Sequence, residues 1–450
     1  MATPVVDRAS PNDLMQLGSG HGPAPIHVAA VLLLAPAEPL DLTRVRSALA
    51  DRARRVPRLR RRLVSTPLGC GRPIWVDDPA FDITRHVKCQ PWPKPGGEQA
   101  VLDLATDLLV HPLPTDRPLW SVTLVTDPDG GRAALILVMS HVLADGIGGL
   151  GILDHLLDEG PPTDDQGETF PARWPSRRQL FLQASRARLA AIGPRTLARR
   201  VQEIAREARS ARVLRGTLCS LNRPSGPRRR MAVVRARIDD VRTAAHANGG
   251  TVNDVVLAMV CGALGRLLRQ RGEAVDRIVV SVPVADRRVT PGAAGNHVGA
   301  MLVRLPTTGL LRQRVREIAA ITAKRKALQP PSSSMLTFSI RVMGALGVLQ
   351  HAMDHQRSVN TFVTDLPGPV RRRTFLAAPV THMIAVPTVE GNVTTAFAAL
   401  SYAGTLTITA LVDPDACPDL PALALHLQEA VTALPRIPGA SAGFARGGVA

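Results

Sequence analysis

Ala133-Ala134-Leu135-Ile136-Leu137-Val138-Met139 is an unbroken apolar run, and Ser140-His141-Val142-Leu143-Ala144-Asp145-Gly146 follows it directly. The run has the length and composition of a buried β-strand. The segment after it leads into Gly148-Gly149, so His141 stands at a strand-to-loop exit. A neutral imidazole at such a place can take the proton from an alcohol or amine that attacks a thioester. An aspartate four residues later can hold the local backbone without touching substrate. The same residues also fit a histidine that only closes a loop after a core strand, so the rest of the chain has to separate the two readings.

Working outward, the N-terminal half alternates strands and helices. Residues 26–35 (IHVAAVLLLA) read as a strand, and Asp41-Leu42-Thr43 opens a helix to about Arg55 with Leu42, Val45 and Leu49 at helical spacing. Phe81 to Val87 reads as a short strand, 98–110 as a helix, Leu119–Thr126 as a strand, and Leu150–Leu157 as the helix after the motif. Residues 158–172 are polar with Pro and Gly and read as a linker, and Ser176–Leu218 as a densely basic helical stretch. A second alternating region opens near Arg229, with strands at Val233–Ile238, Ile278–Val284 and Val298–Leu305. Its helices are Asp239–Asn248, a strongly apolar Thr251–Leu268, Leu311–Leu328 and Ser333–Met353. Strands at Val359–Asp365, Thr381–Pro387, Val393–Tyr402 and Thr405–Val412 and a helix at Leu420–Leu434 complete it. This order predicts an α/β fold with an N-terminal unit over 1–157, a basic connection over 158–228, a C-terminal unit over 229–434 and a Gly/Ala-rich tail over 435–450. The similar element content of the two halves permits two copies of one fold.

Composition narrows the function classes. The chain has 450 residues, too many for one ordinary core. Hydrophobic residues at 45% with charged residues at 20% describe a folded protein. Aromatic residues at 3% leave few stacking platforms for single-stranded nucleic acid, so nucleic acid is not an expected partner. Cys70, Cys89, Cys219, Cys261 and Cys417 are scattered, odd in number and form no CxxC pair. Disulfides, structural zinc and any bound cofactor are not expected, and a reducing cytosol is. The first residues lack the apolar core of a signal peptide. The net charge of +18, carried mostly by arginine, points to a solvated basic face or to an anionic lipid surface touched peripherally.

Further strings fall in one order along the chain: Pro118-Leu119-Trp120, the motif itself, Thr251-Val252-Asn253-Asp254-Val255-Val256-Leu257-Ala258, Pro283-Val284-Ala285-Asp286-Arg287, Gly295-Asn296-His297, Thr364-Asp365-Leu366-Pro367-Gly368-Pro369 and Ser401-Tyr402. Together they resemble the bacterial wax ester synthase/diacylglycerol acyltransferase family, within the larger group that carries the HHxxxDG motif. The resemblance runs from about residue 10 to about residue 430. It implies two chloramphenicol-acetyltransferase-like domains around a central tunnel, acyl-CoA as co-substrate, and diacylglycerol or a long-chain alcohol as acceptor. His141 matches the motif's second histidine and is expected to be the general base. Asp145 is expected to pair with an arginine from elsewhere, Arg287 being the candidate, and Gly146 to let the backbone turn. Asn253 either polarises the developing oxyanion or caps its helix; Asp254 is expected to cap.

The chain departs from the family at three places. Ser140 replaces the first histidine of the motif, Asp365 stands where asparagine is usual, and Asp286 stands where an apolar residue is usual. Two other readings therefore stay open: acyl transfer to a different acceptor, such as a polyketide hydroxyl or a carrier-bound amine, and a catalytically silent lipid-binding relative.

Overall fold

The computed structural model describes residues 6–19, 22–127, 130–160, 170–172, 174–191, 216–285, 298–327 and 348–434, with Gln202 and Met343 besides. Among the described residues, fourteen strands form two six-stranded sheets and one hairpin. In chain order they are β1 (His27–Leu34), β2 (Arg61–Val64), β3 (Ile74–Asp77), β4 (Val87–Pro91), β5 (Trp120–Thr126), β6 (Ala133–Ser140) and β7 (Arg230–Arg237). There follow β8 (Arg277–Ala285), β9 (Val298–Pro306), β10 (Thr361–Pro367), β11 (Thr374–Phe375), β12 (Ala378–Val386), β13 (Thr395–Tyr402) and β14 (Thr405–Val412). The first sheet runs β11-β12-β1-β6-β5-β4, the second β7-β14-β13-β10-β8-β9, and β2-β3 stand apart.

The quoted apolar run is β6, at the middle of the first sheet and buried at every position. Its side chains are apolar on both faces because both faces are covered. Leu135, Leu137 and Met139 meet Val45, Leu49 and Ala53 of the Leu42–Arg55 helix and Ile152 and Leu153 of the Gly146–His155 helix in one core. Ala134, Ile136 and Val138 share a second core with Val101, Leu102 and Ala105 of the Gly97–Leu109 helix and with Met231, Ala396 and Leu411 of the other sheet. β1 and β6 pair antiparallel without a break from His27↔Ser140 to Leu34↔Ala133. The second sheet buries its far face under the Val252–Gln270 helix, in which fourteen residues are buried.

Several expected elements differ in detail. The strand expected from Phe81 starts only at Val87, because the Asp82 carboxylate accepts the Thr84 backbone N–H at 2.9 Å and folds Ile83–Arg85 into a 3₁₀ turn. The helix after the motif begins at Gly146 instead of Leu150, since Asp145 caps it. The expected Thr381–Pro387 strand, here β12, crosses over to pair antiparallel with β1 in the first sheet. Pairing across sheets leaves no trace in local composition, so a cut near residue 229 does not separate the two sheets. The basic helix is described over Arg177–Ala191, and residues 192–201 and 203–215 lie outside the described residues. Most of the expected Ser333–Met353 helix and all of the 435–450 tail also lie outside them; Leu349–Asp354 is helical.

Candidate active site

At the end of β6 the backbone is held on both sides. Ser140 N–H donates to the Leu119 carbonyl at 3.0 Å, and His141 N–H to the Ile26 carbonyl at 3.1 Å. Leu143 N–H returns to the Ser140 carbonyl at 2.9 Å, which turns the chain into the loop. Val142 to Asp145 are buried, and His141 is partly buried between them and the strand. Burial pushes the His141 imidazole below the ordinary histidine range, opposed by its own backbone carbonyl and by the Asp145 carboxylate. The ring is therefore neutral at pH 7 and holds a lone pair.

Asp145 is the N-cap of the Gly146–His155 helix, accepting Gly148 N–H at 2.8 Å. Arg287, expected as its partner, lies outside the described residues, as do Asp286, Gly295, Asn296 and His297. Gly146 has no left-handed backbone angle, so the reason expected for it is corrected. A Cβ there would lie 3.3 Å from Leu366 Cδ2 and 3.6 Å from Thr364 Cγ2, so glycine lets the motif helix close on β10.

The Asn253 segment reaches β10 from its other face. Thr251, not Asn253, caps the Val252–Gln270 helix, and Asp254 completes a capping box by accepting Thr251 N–H and Oγ–H, both at 2.8 Å. Asp254 also accepts the Thr322 hydroxyl at 2.7 Å, so the capping expected of it is what it does. Capping by Asn253 is excluded. Its Oδ1 is buried and has no hydrogen-bond partner among the described residues.

β10 thus stands between the two motifs. Leu366 belongs to the core of the motif side and Val363 to the core under the Val252–Gln270 helix. Asp365 shares the Val363 face. Burial first, and then Asp254, push its carboxyl up to about 6, against the pull of Lys326. β10 pairs parallel with β8 only at Thr361↔Val280 and Phe362↔Ser281, whereas β8 stays paired with β9 to Ala285. From Val363 onward the two strands separate, and the sheet is split beside Thr364 and Asp365.

Two expected motif residues prove structural. Trp120 is a core residue whose indole N–H donates to the Leu59 carbonyl at 2.7 Å. Tyr402 donates its hydroxyl to the Val380 carbonyl at 3.0 Å and accepts Arg373 N–H at 2.8 Å, tying β13 to β12. His27, opposite Ser140, was not singled out in the sequence. Its signal is a polar residue opening a strand that is otherwise apolar. A cavity of about 250 Å³ lined by Pro36–Asp41, Arg44 and Leu376–Ala378 sits at the other end of β1, away from His141.

The wax ester synthase/diacylglycerol acyltransferase catalytic domain matches residues 9–256, and the C-terminal domain of the same family matches residues 294–435. A probable diacylglycerol O-acyltransferase, tgs1, of Mycobacterium tuberculosis is 31% identical over 410 residues, covering 86% of this chain and 87% of that protein. A putative diacylglycerol O-acyltransferase of Mycobacterium bovis matches equally well. Among solved structures, the wax ester synthase/diacylglycerol acyltransferase of Marinobacter aquaeolei superposes with a TM-score of 0.68 at 21% identity, covering 96% of this chain and 99% of that one. The first condensation domain of the calcium-dependent antibiotic synthetase superposes with a TM-score of 0.65 at 16% identity, over 98% of each chain. The two-lobed fold expected from the sequence is the fold of these structures, and the chain is an acyltransferase that belongs to the wax ester synthase/diacylglycerol acyltransferase family.

Proposed function

We propose that this acyltransferase moves a long-chain acyl group from acyl-CoA to the hydroxyl of diacylglycerol or a long-chain alcohol, with His141 as general base. The neutral, partly buried imidazole at a fixed strand end carries this reading. The imidazole lone pair takes the hydroxyl proton as the oxygen attacks the thioester carbon. The tetrahedral adduct then collapses, the carbon–sulfur bond breaks, and the proton leaves with the coenzyme A thiolate. Asn253 is assigned to the developing oxyanion through its amide Nδ2–H, Thr251 rather than Asn253 being the cap of its helix. The split between β8 and β10 is the assigned passage through which the acyl donor and the acceptor converge.

The test compares wild type with His141→Ala, using long-chain acyl-CoA and either diacylglycerol or a fatty alcohol. Loss of the base is expected to lower kcat by about 10²–10⁴ with an unchanged melting temperature. Equal product from both proteins refutes the assignment. A panel of short alcohols and carrier-bound amines in the same assay ranks the acceptors.

The acceptor dissolves in lipid, and the described part of the basic segment supports a peripheral lipid contact. The Arg177–Ala191 helix packs by Leu180 and Ala184, while Phe181, Leu182 and Leu189 are exposed beside Arg177, Arg178, Arg186 and Arg188. Leu68, on the neighbouring β2–β3 hairpin, is 98% exposed, and Phe181 lies against Gly69 of the same turn. Exposed leucines among arginines suit an anionic bilayer surface. Reversing Arg178, Arg186 and Arg188 to Glu is expected to abolish co-sedimentation with anionic vesicles at low salt. Unchanged co-sedimentation removes this surface from the reading.

A further inference from the structure

β1 reads His-Val-Ala-Ala-Val-Leu-Leu-Leu, and its one polar side chain, His27, is only 5% exposed. The His27 imidazole contacts the Leu109 carbonyl, at the last residue of the Gly97–Leu109 helix, through Nδ1 at 3.0 Å. With a carbonyl as partner, Nδ1 carries the proton and donates it, which leaves Nε2 unprotonated in the neutral ring. The neighbouring residue on the same strand, Ile26, offers the carbonyl that accepts His141 N–H at 3.1 Å. Across the ladder His27 is the register partner of Ser140, so both side chains lie on one face of the sheet. The ring thus ties the end of a helix to the start of β1, and the backbone of β1 in turn holds the end of β6.

We propose that His27 is a positioning residue for His141, clamping the start of β1 to the Gly97–Leu109 helix so that the Ile26 carbonyl holds the catalytic loop in place. The proposal rests on the reading of His141 as the base. An apolar side chain would suit this buried strand better on stability alone, since burying an imidazole costs solvation. The surrounding core accordingly pulls the His27 pKa down to about 4. What the imidazole supplies there, and an apolar side chain would not, is the directed hydrogen bond to the Leu109 carbonyl.

The experiment measures kcat, KM and melting temperature for four variants of the full chain, with His141→Ala alongside. His27→Leu fills the volume without the hydrogen bond, and is expected to fold yet lose about tenfold or more in kcat with KM within about twofold, as misplacement of a reacting group does. His27→Ala is expected to lose the same rate and also to melt lower. His27→Asn sets an amide N–H near the place of Nδ1 and is expected to recover most of the rate. His27→Gln sets its amide near Nε2 and is expected to stay slow. A His27→Leu enzyme as fast as wild type, with His141→Ala slow, overturns the positioning role and leaves the base standing. Rescue by Gln and not by Asn also overturns it. A fast His141→Ala enzyme overturns the base assignment, and this proposal with it.

Discussion

His27 and Asp365 are buried titratable groups whose shifts have opposite consequences. Burial lowers the His27 pKa to about 4, below its unfolded value, so the folded chain disfavours the proton that the unfolded chain accepts. Its contribution is present above about pH 6.5 and is lost as pH falls toward 4. Wild type is therefore expected to lose up to ~3 kcal/mol more stability than His27→Leu over that window, read by denaturant unfolding at both ends. Asp365 is raised to about 6, so the folded state holds the proton more tightly than the unfolded state. Stability then falls as pH rises from about 4 through 6, and the ionised carboxylate is a burden at pH 7. Asp365→Asn is expected to stabilise by about 1–2 kcal/mol at pH 7, discounted for partial exposure, and by nothing at pH 4. A stability gain equal at both pH values would refute the buried-charge account.

The Val252–Gln270 helix decides how the second half packs. Its capping box was legible in Thr251 and Asp254, and its burial in the run Val255-Val256-Leu257-Ala258. What the run does not reveal is the close approach at Gly265, where a Cβ would lie 2.6 Å from the Thr307 carbonyl oxygen. Helix propensity alone favours Gly265→Ala by up to about 1 kcal/mol. The fixed backbone contact reverses the sign, and the substitution is expected to destabilise by about 1–3 kcal/mol in thermal or denaturant melts. At Gly146 the nearest neighbour of a Cβ is instead the Leu366 side chain at 3.3 Å, which can shift where a backbone carbonyl cannot.

At the scale of the molecule, the two sheets are laced together. β11 and β12 belong by sequence to the C-terminal half and by pairing to the N-terminal sheet. Tyr402 anchors that crossing through the Val380 carbonyl, and Gln99 Nε2 donates to the Met231 carbonyl at 3.2 Å across the seam. Residues 1–157 produced alone leave β1 with an open apolar edge. They are expected to aggregate, whereas co-production with residues 216–434 restores a soluble pair, read by size-exclusion chromatography. A monomeric, folded 1–157 fragment would show that β12 is dispensable to the first sheet.

Sequence alone was sufficient for what short-range chemistry and periodicity encode. The β6 run needed no neighbours to read as a buried strand, whereas His141 became the candidate base only when the ordered strings along the rest of the chain were added to its place at the strand exit. The apolar helix after Thr251 and the family itself were legible for the same reason, because the signals lie within a few residues of each other or in one fixed order. Only the tertiary structure decided the rest: β12 joining β1, the split between β8 and β10, Gly146 against Leu366, and His27 beside Ser140. Each of these depends on segments about 80 or more residues apart. Their free energy arises when two distant surfaces meet, and no local pattern records which surfaces those will be.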